Sequence, residues 1–233
     1  YKNNLTVLAP ILGERSIPFA VFISVNNITK GDIYPTSMVR LVVWGSTANR
    51  LLLPSIGKEI DISTKKKKEI AARELSAEVK HKPLSVVTAI YNDLKSNISD
   101  DEVSFLLKKC SAVSPMSWED VDKIRDYGAT IGSHCLDHIC CHENQSEEEV
   151  RKQIYESKVI IEDKLATSCD FFVYPNGNFT SMSNDCVINA GYKLGFSTKP
   201  MQIEYNNSPA IIPRICVPAN VNTAKIKINL YPR

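Results

Sequence analysis

Two hydrophobic patterns alternate along the chain. Short runs of apolar and β-branched residues predict buried strands, and stretches in which apolar residues recur every three or four positions predict amphipathic helices. The predicted strands are residues 17–25, 129–133, 171–174 and 194–197, and the predicted helices are residues 4–14, 64–80, 83–95, 100–109, 117–127, 146–165 and 184–190. Because strands alternate with helices, the pattern is typical of an α/β protein with a parallel sheet.

The region between the first two strands is less regular. Residues 26–37 are rich in Asn, Gly and Pro and predict a loop, residues 38–53 fit either a helix or a strand, and residues 60–62 fit a short strand. The length of 233 residues and the hydrophobic content of 43% allow one large core. We therefore predict a single domain over residues 1–233, with a helical insertion at about 40–112.

Candidate chemistry is concentrated in residues 132–142, GSHCLDHICCH, which hold three of the four histidines and three of the seven cysteines. His134 and His138 are four positions apart, so on a helical turn both imidazoles would lie on one face and could bind one metal ion. A catalytic metal needs a third protein ligand from elsewhere and an open position for water.

A second interpretation of the same segment remains open. Cys135, Cys140, Cys141 and His142 could complete a closed zinc site, or they could be ordinary core and loop residues. The sequence has no paired CxxC element of the kind that supports a closed zinc cage.

Net charge, cysteine content and the lack of long apolar runs limit the possible partners and the cellular environment of the protein. The formal net charge of +2 gives no broad basic field, so nucleic acid is not an expected partner. The odd number of cysteines, with two of them adjacent, indicates reduced thiols rather than a secreted disulfide framework. No apolar run approaches the roughly 18 residues of a transmembrane helix, and the first residues have no signal-peptide pattern.

Four segments together resemble one family. The sequence GATIGSHCLDH follows PMSWEDVDKIRDY and resembles the second motif of the polysaccharide deacetylase family, the NodB-homology group or carbohydrate esterase family 4. Residues 171–177, FFVYPNG, resemble its third motif, and residues 190–197, AGYKLGFS, resemble the strand after the next helix. Residues 8–22 resemble an amino-terminal segment of the family, and the four segments occur in the family's order.

The resemblance implies a fold and an activity. The implied fold is a distorted (β/α) barrel of about seven strands, with the first strand missing from this chain. The implied activity is metal-dependent hydrolysis of a linear amide C–N bond, which removes N-acetyl groups from a polysaccharide, a glycolipid or an envelope precursor. The implied partner is therefore an N-acetylated carbohydrate, and either a cytoplasmic or a periplasmic, cell-envelope location of bacterial type fits such a substrate.

The resemblance also implies roles for individual residues. His134 and His138 would bind a divalent metal ion, with zinc expected. The peptide N–H of Asn176 would stabilise the oxyanion, and Arg214 would supply a catalytic positive charge.

The remaining implied residues form the substrate-binding turn and the missing part of the site. Tyr174, Pro175 and Gly177 would shape the turn that contacts the substrate, although Pro, Asn and Gly are also ordinary turn residues. In the family an aspartate of a TFDDG motif is the third metal ligand and its neighbour is the general base, and that motif would precede Tyr1. Asp137 and Asp170 match neither role and are expected to be surface or capping carboxylates.

Three departures from the family pattern support an alternative function. Cys135 replaces the usual hydroxyl residue, no arginine precedes the Tyr174–Pro175 step, and no histidine follows His142 to act as the general acid. The alternative is a catalytically inactive, deacetylase-like domain that binds carbohydrate. A closed Cys/His zinc fold with a structural role is a third hypothesis.

Overall fold

The chain folds around a parallel sheet. The structure, a computed structural model, describes residues 1–198 and 208–214. The elements in chain order are α1 (Ala9–Glu14), β1 (Phe19–Ile23), α2 (Val25–Lys30), α3 (Pro35–Gly45), β2 (Arg50–Leu53), β3 (Lys58–Asp61), α4 (Lys65–His81), α5 (Leu84–Ser96), α6 (Asp100–Lys109), α7 (Trp118–Asp126), β4 (Ala129–Ser133), α8 (Glu147–Leu165), β5 (Phe171–Val173), α9 (Ser181–Asn189), β6 (Leu194–Ser197) and β7 (Ile212–Pro213).

Five strands form the main sheet in the order β1-β4-β5-β6-β7, and every neighbouring pair is parallel. The register pairs Val21 with Ile131, and Ser133 with Phe172. Since successive side chains of a strand point to opposite faces, these residues share one face of the sheet, where all four are buried. The predicted parallel α/β architecture is therefore confirmed.

The opposite face of the sheet is concave. The rings of Phe22 on β1 and Phe196 on β6 have centroids 6.0 Å apart. Strands β4 and β5 lie between these two strands, so a flat sheet would separate β1 from β6 by about 14 Å. Gly132 makes this approach possible, because a Cβ at this position would lie 2.5 Å from the Phe22 ring. The described strands form an open sheet, and barrel closure remains a proposal.

The buried face of the sheet is covered by helices. Val121 and Ile124 of α7 and Ile154 and Ile161 of α8 belong to the same hydrophobic cluster as the strand residues. The helix α7 begins with the predicted capping box, in which the Ser117 hydroxyl accepts from the Asp120 N–H and the Asp120 carboxylate accepts from the Ser117 N–H. The predicted helices α7, α8 and α9 thus pack against the buried face of the sheet.

A second hydrophobic cluster occupies the region between β1 and β4. It joins α3, the antiparallel hairpin of β2 and β3, and the helices α4 and α5, with Leu51, Leu75, Ile90 and Leu94 at its centre. The helices α4, α5 and α6 were predicted from the sequence, and the separate cluster supports the proposed helical insertion.

Two predictions in this region need correction. Residues 26–37 were predicted as a loop, but α2 covers Val25–Lys30 and α3 begins at Pro35. Burial of Val25 and Ile28 explains α2, because their apolar side chains gain more from packing in the core than the Asn-rich composition costs. The ambiguous residues 38–53 contain both a helix and a strand, which are α3 and β2.

Candidate active site

The two candidate metal ligands lie at the carboxyl edge of the sheet. His134 directly follows β4, and its backbone N–H donates to the carbonyl of Ile23 at the end of β1, at 2.9 Å. Ser24 follows β1, and its hydroxyl donates to the carbonyl of His134 at 2.8 Å. These two hydrogen bonds fix the backbone of His134 beside the end of the neighbouring strand, where parallel-sheet proteins collect functional groups.

The two imidazoles meet without a helix. The prediction that a helical turn would carry them is wrong, because residues 134–141 are irregular, and Cys135 and His138 have positive φ angles of 65° and 56°. The left-handed backbone turns the chain back on itself, so the two rings still meet, with centroids 4.8 Å apart and planes at 81°. The predicted proximity of His134 and His138 therefore arises from a strained loop.

His134 is oriented by a backbone carbonyl. Its Nδ1 lies 2.5 Å from the carbonyl oxygen of Val173, the last residue of β5. A carbonyl can only accept, so Nδ1 carries the proton and the lone pair lies on Nε2. Burial, then the neighbouring His138 and then Arg214 lower the pKa of His134 to about 3. The imidazole is consequently neutral and oriented as a metal ligand requires.

His138 is neutral for a similar reason and is held by aromatic rings. Burial lowers its pKa to about 4. The ring of Tyr34 packs edge-on against His138 with centroids 5.0 Å apart, and Tyr1 packs against Tyr34 at the same distance. No sequence pattern indicated Tyr34, since only the fold brings residues so distant along the chain together.

Residues 134–142 form an irregular segment that we call the histidine loop. Asp137 holds the amino-terminal part of this loop. Its carboxylate accepts from Asn26 Nδ2 and from Gln153 Nε2, both at 2.7 Å, and its backbone N–H donates to Gln153 Oε1 at 2.9 Å. Asp137 therefore connects the loop to α2 and α8. Asp137 is thus a half-buried anchor of the loop and has a more specific role than the surface or capping carboxylate that was predicted. Asp170 lies nearer to the surface and pairs with Lys193.

His142 holds the carboxyl-terminal part of the loop. Its Nε2 donates to the carbonyl of Lys80 at 2.8 Å, and its Nδ1 accepts from the backbone N–H of Asn144 at 3.2 Å. Gln145 extends this connection, because its side chain bonds the backbone of Lys82 and Leu84. The Nε2 atom of His142 thus joins the loop to the end of α4, and its Nδ1 atom bonds a neighbouring residue of the same segment.

The cysteines of the loop are buried thiols. The Sγ atoms of Cys135 and Cys141 lie 3.9 Å apart, and burial raises the pKa of Cys135 and brings the pKa of Cys140 to about 12. In residues 1–198 and 208–214, no three His, Cys, Asp or Glu side chains converge as a metal site would require. A closed Cys/His zinc cage therefore has no support from the described part of the chain.

The turn after β5 has one exposed member. Tyr174 is fully buried and packs against Phe172 and Phe179, and Pro175 and Gly177 are buried too. Asn176 is exposed and borders a cavity of about 240 Å³ that is also lined by His138. Tyr174, Pro175 and Gly177 therefore lie where they set the shape of the turn, and Asn176 lies where a ligand can contact it.

Arg214 lies on the same rim as His134. It directly follows β7, and its Nε donates to the carbonyl of Ser197, the last residue of β6, at 3.3 Å. Its positive charge contributes to the lowered pKa of His134. The structure therefore brings Arg214 to the same rim as the two histidines, which lie far from it in the sequence.

The two histidines fit part of a zinc site. Both are neutral, their rings touch, and the Nδ1–H of His134 is already bonded to a carbonyl, which is the usual outer contact of a metal-bound histidine. Imidazole nitrogen is a preferred zinc ligand. The two side chains could hold a metal ion, and within the described residues no third His, Cys, Asp or Glu side chain joins them.

The described residues thus form a parallel α/β fold with a histidine pair at the carboxyl edge of its sheet. Residues 83–195 match the family model of the polysaccharide deacetylases. This segment is a little under half of the chain, and its match confirms the resemblance to polysaccharide deacetylases that the motifs predicted. The matched residues include both histidines, the loop anchors and the strands β4 and β5.

Comparison with solved structures finds deacetylases. The Streptococcus pyogenes deacetylase PplD, solved in complex with acetate, is 17% identical with a TM-score of 0.48 over 54% of this chain and 55% of its own. The BpsB deacetylase domain from Bordetella bronchiseptica is 11% identical, with a TM-score of 0.49 over 92% of this chain and 66% of its own. A de-N-acetylase from Aggregatibacter actinomycetemcomitans is 11% identical, with a TM-score of 0.48 over 98% of this chain and 71% of its own.

These likenesses have limits in coverage. The chain spans between about half and two thirds of the length of the first two structures. Among curated proteins, none matches the sequence. Within the described residues, no helix is both long enough and apolar enough to cross a membrane.

Proposed function

We propose that the protein is a metal-dependent hydrolase that removes N-acetyl groups from a sugar of a polysaccharide, a glycolipid or a cell-envelope precursor. The observation that carries the proposal is the contact between two neutral imidazoles at the carboxyl edge of a sheet, inside the segment that matches the deacetylase family. The nearby cavity of about 240 Å³, with His138 and Asn176 in its lining, gives an acetamido group a place to bind.

His134 through Nε2 and His138 through its ring would hold the metal ion, for which zinc is the best match to imidazole ligands. When bound, such an ion supplies Lewis-acid polarisation of the amide carbonyl and a water of lowered pKa. Val173 keeps His134 in the required tautomer through its carbonyl oxygen.

Other residues act on the substrate rather than on the metal. The peptide N–H of Asn176 is proposed to donate to the amide oxygen as negative charge develops there, since a positive φ of 57° sets the peptide at this exposed turn. Arg214 is proposed to stabilise the same charge, since its positive charge acts on the neighbouring His134. Tyr174, Pro175 and Gly177 are proposed to contribute to substrate binding by fixing the turn.

The test is acetate release from an oligomer of N-acetylglucosamine by the purified protein with added zinc. We expect release that falls at least a hundredfold in His138→Ala and is unchanged in Lys66→Ala, a control at an exposed position of α4 that does not line the cavity. No release by the wild-type protein, or equal release by both variants, would contradict the proposal.

The alternative is an inactive domain that binds carbohydrate. One observation favours it: within residues 1–198 and 208–214, no carboxylate joins the two histidines as a third ligand or general base. This alternative predicts binding of N-acetylated oligosaccharides with no acetate release under any metal. The assay above, combined with a binding measurement on the same protein, separates the two functions.

A further inference from the structure

The cavity beside His138 opens into a longer groove. Lys80 and Asn176 border both the cavity of about 240 Å³ and a neighbouring groove of about 580 Å³ that runs between α3 and α4. On α3, Thr36 borders the cavity and Trp44 borders the groove, and eight residues of helix span about 12 Å. The groove is therefore a continuous extension of the proposed active site onto the insertion.

The groove has cationic side chains and no acidic ones in its lining. Arg40 on α3 and Arg73 and Lys80 on α4 lie along it, with the exposed His81 at one end. No side chain of Arg40, Arg73 or Lys80 forms an ion pair with any described residue. Three unpaired positive charges in one groove attract an anion rather than a neutral ligand.

The groove also has a feature that suits a sugar chain. Trp44 is 45% exposed, and its indole offers a flat apolar surface against which the C–H face of a sugar ring can pack.

We propose that the groove of Arg40, Trp44, Arg73 and Lys80 binds an acidic stretch of the glycan whose N-acetyl group reaches His138. The substrate class is then a polymer in which N-acetylated sugars alternate with sugars that carry carboxylate or phosphate groups. This inference rests on the proposed function for the reacting end of the glycan. A membrane surface is a poorer match, because an interfacial helix needs a broad apolar face and Trp44 is a single aromatic side chain.

The test compares two oligosaccharides of equal length. One alternates N-acetylglucosamine with glucuronic acid, and the other is the neutral oligomer of N-acetylglucosamine. The sequence has two tryptophans, so Trp118→Phe leaves Trp44 as the sole indole that reports binding by its fluorescence. We expect the acidic oligosaccharide to bind at least tenfold more tightly, with an affinity that falls as salt is raised.

Two double variants distinguish binding in the groove from a general effect of the protein's net charge. Arg40→Gln combined with Arg73→Gln is expected to remove the preference for the acidic oligosaccharide. Lys65→Gln combined with Lys66→Gln changes the net charge equally at exposed α4 positions outside the groove and should leave the preference intact. Equal binding of both oligosaccharides by the Trp118→Phe protein, equal losses in both double variants, or equally tight binding to anionic phospholipid vesicles would overturn the inference.

The result for the groove can be distinguished from the result for the proposed deacetylase activity. Acetate release from the neutral oligomer without any preference for the acidic one would leave the deacetylase in place and remove the anionic groove. Preference for the acidic oligosaccharide without acetate release from either would support the groove on a protein that binds without hydrolysis.

Discussion

At the scale of single residues, the protonation states of two histidines matter most. His134 and His138 keep pKa values of about 3 and 4, below the ordinary value of 6.5, because burial disfavours the charged imidazolium. Both rings are therefore neutral at every pH at which the protein is expected to work. This property is useful for a metal ligand and costly for stability in acid.

The loss of stability at low pH can be measured. Below pH 6.5 the unfolded chain takes up protons that the folded chain excludes until about pH 4, so the free energy of unfolding falls across this window. The loss is up to about 1.4 kcal/mol per pH unit for each histidine. Urea denaturation of the metal-free protein at pH 7 and pH 5 checks it. In the double variant His134→Gln combined with His138→Gln, we expect the free energy of unfolding to depend less steeply on pH. A slope equal to that of the wild-type protein would show that these two histidines do not cause the loss.

Gly177 is the glycine of the turn that carries Asn176, and its φ is +74°. A Cβ there would lie 1.8 Å from Thr198 Oγ1 and 2.7 Å from its backbone nitrogen. Gly177→Ala should therefore cost about 3 kcal/mol or more, from left-handed strain and overpacking together. Gly31→Ala is the matched control, because Gly31 has φ +70° and open space around it, and strain alone should cost about 1 kcal/mol. Equal losses in urea denaturation would rule out the steric account.

At the scale of elements, local signals predicted most of the helices. Ser99 and Ser117 carry capping boxes with the residues three positions later, and each box forms within its own segment. The helix α2 escaped prediction because its stability comes from burial of Val25 and Ile28 in a core formed by distant residues.

The candidate site, too, could be predicted from the sequence only in part. Composition pointed to His134 and His138, but it could not identify Val173 as the partner of His134, or Gln153 as the anchor of Asp137. These contacts exist only after β4, β5 and α8 have come together. The irregular path of the loop was likewise set by tertiary anchors and not by helix propensity.

The anchor on α8 gives a prediction. Gln153→Leu keeps the size of the side chain but removes its bonds to the carboxylate and N–H of Asp137. We expect a loss of about 2–3 kcal/mol in urea denaturation, since buried partners are left unpaired. Zinc affinity should fall about tenfold, as the loop that orients His138 loosens. Lys152→Leu, at the exposed neighbouring position, should change neither quantity. Unchanged zinc affinity in Gln153→Leu would show that the anchor does not position the histidines.

In the molecule as a whole, the histidine loop packs in the cluster of the main sheet and is hydrogen-bonded to the insertion that holds the second cluster. Asp137 joins the loop to α2 and α8, while His142 and Gln145 join it to the end of α4 and the start of α5. The family motifs predicted the sheet region, but the groove between α3 and α4 depends on side chains of the insertion, for which no motif exists in the sequence. The proposed single domain therefore rests on these connections.

Cooperative unfolding tests the proposed single domain. Ile154 lies in the cluster of the main sheet and Leu94 in the cluster of the insertion, and both are fully buried. Ile154→Ala and Leu94→Ala should each cost about 2–5 kcal/mol, as cavities in close-packed cores do. If the clusters unfold as one, each variant shifts the same single urea transition. A second transition that only Leu94→Ala displaces would contradict the single domain.

The proposed binding of a catalytic metal ion by His134 and His138 can be tested by elemental analysis of the purified protein after equilibration with zinc. We expect close to one zinc per chain, lost in His134→Ala and in His138→Ala and retained in His81→Ala, a variant at an exposed histidine. A wild-type protein that holds no metal, or zinc that remains in both His134→Ala and His138→Ala, would refute the proposed metal site.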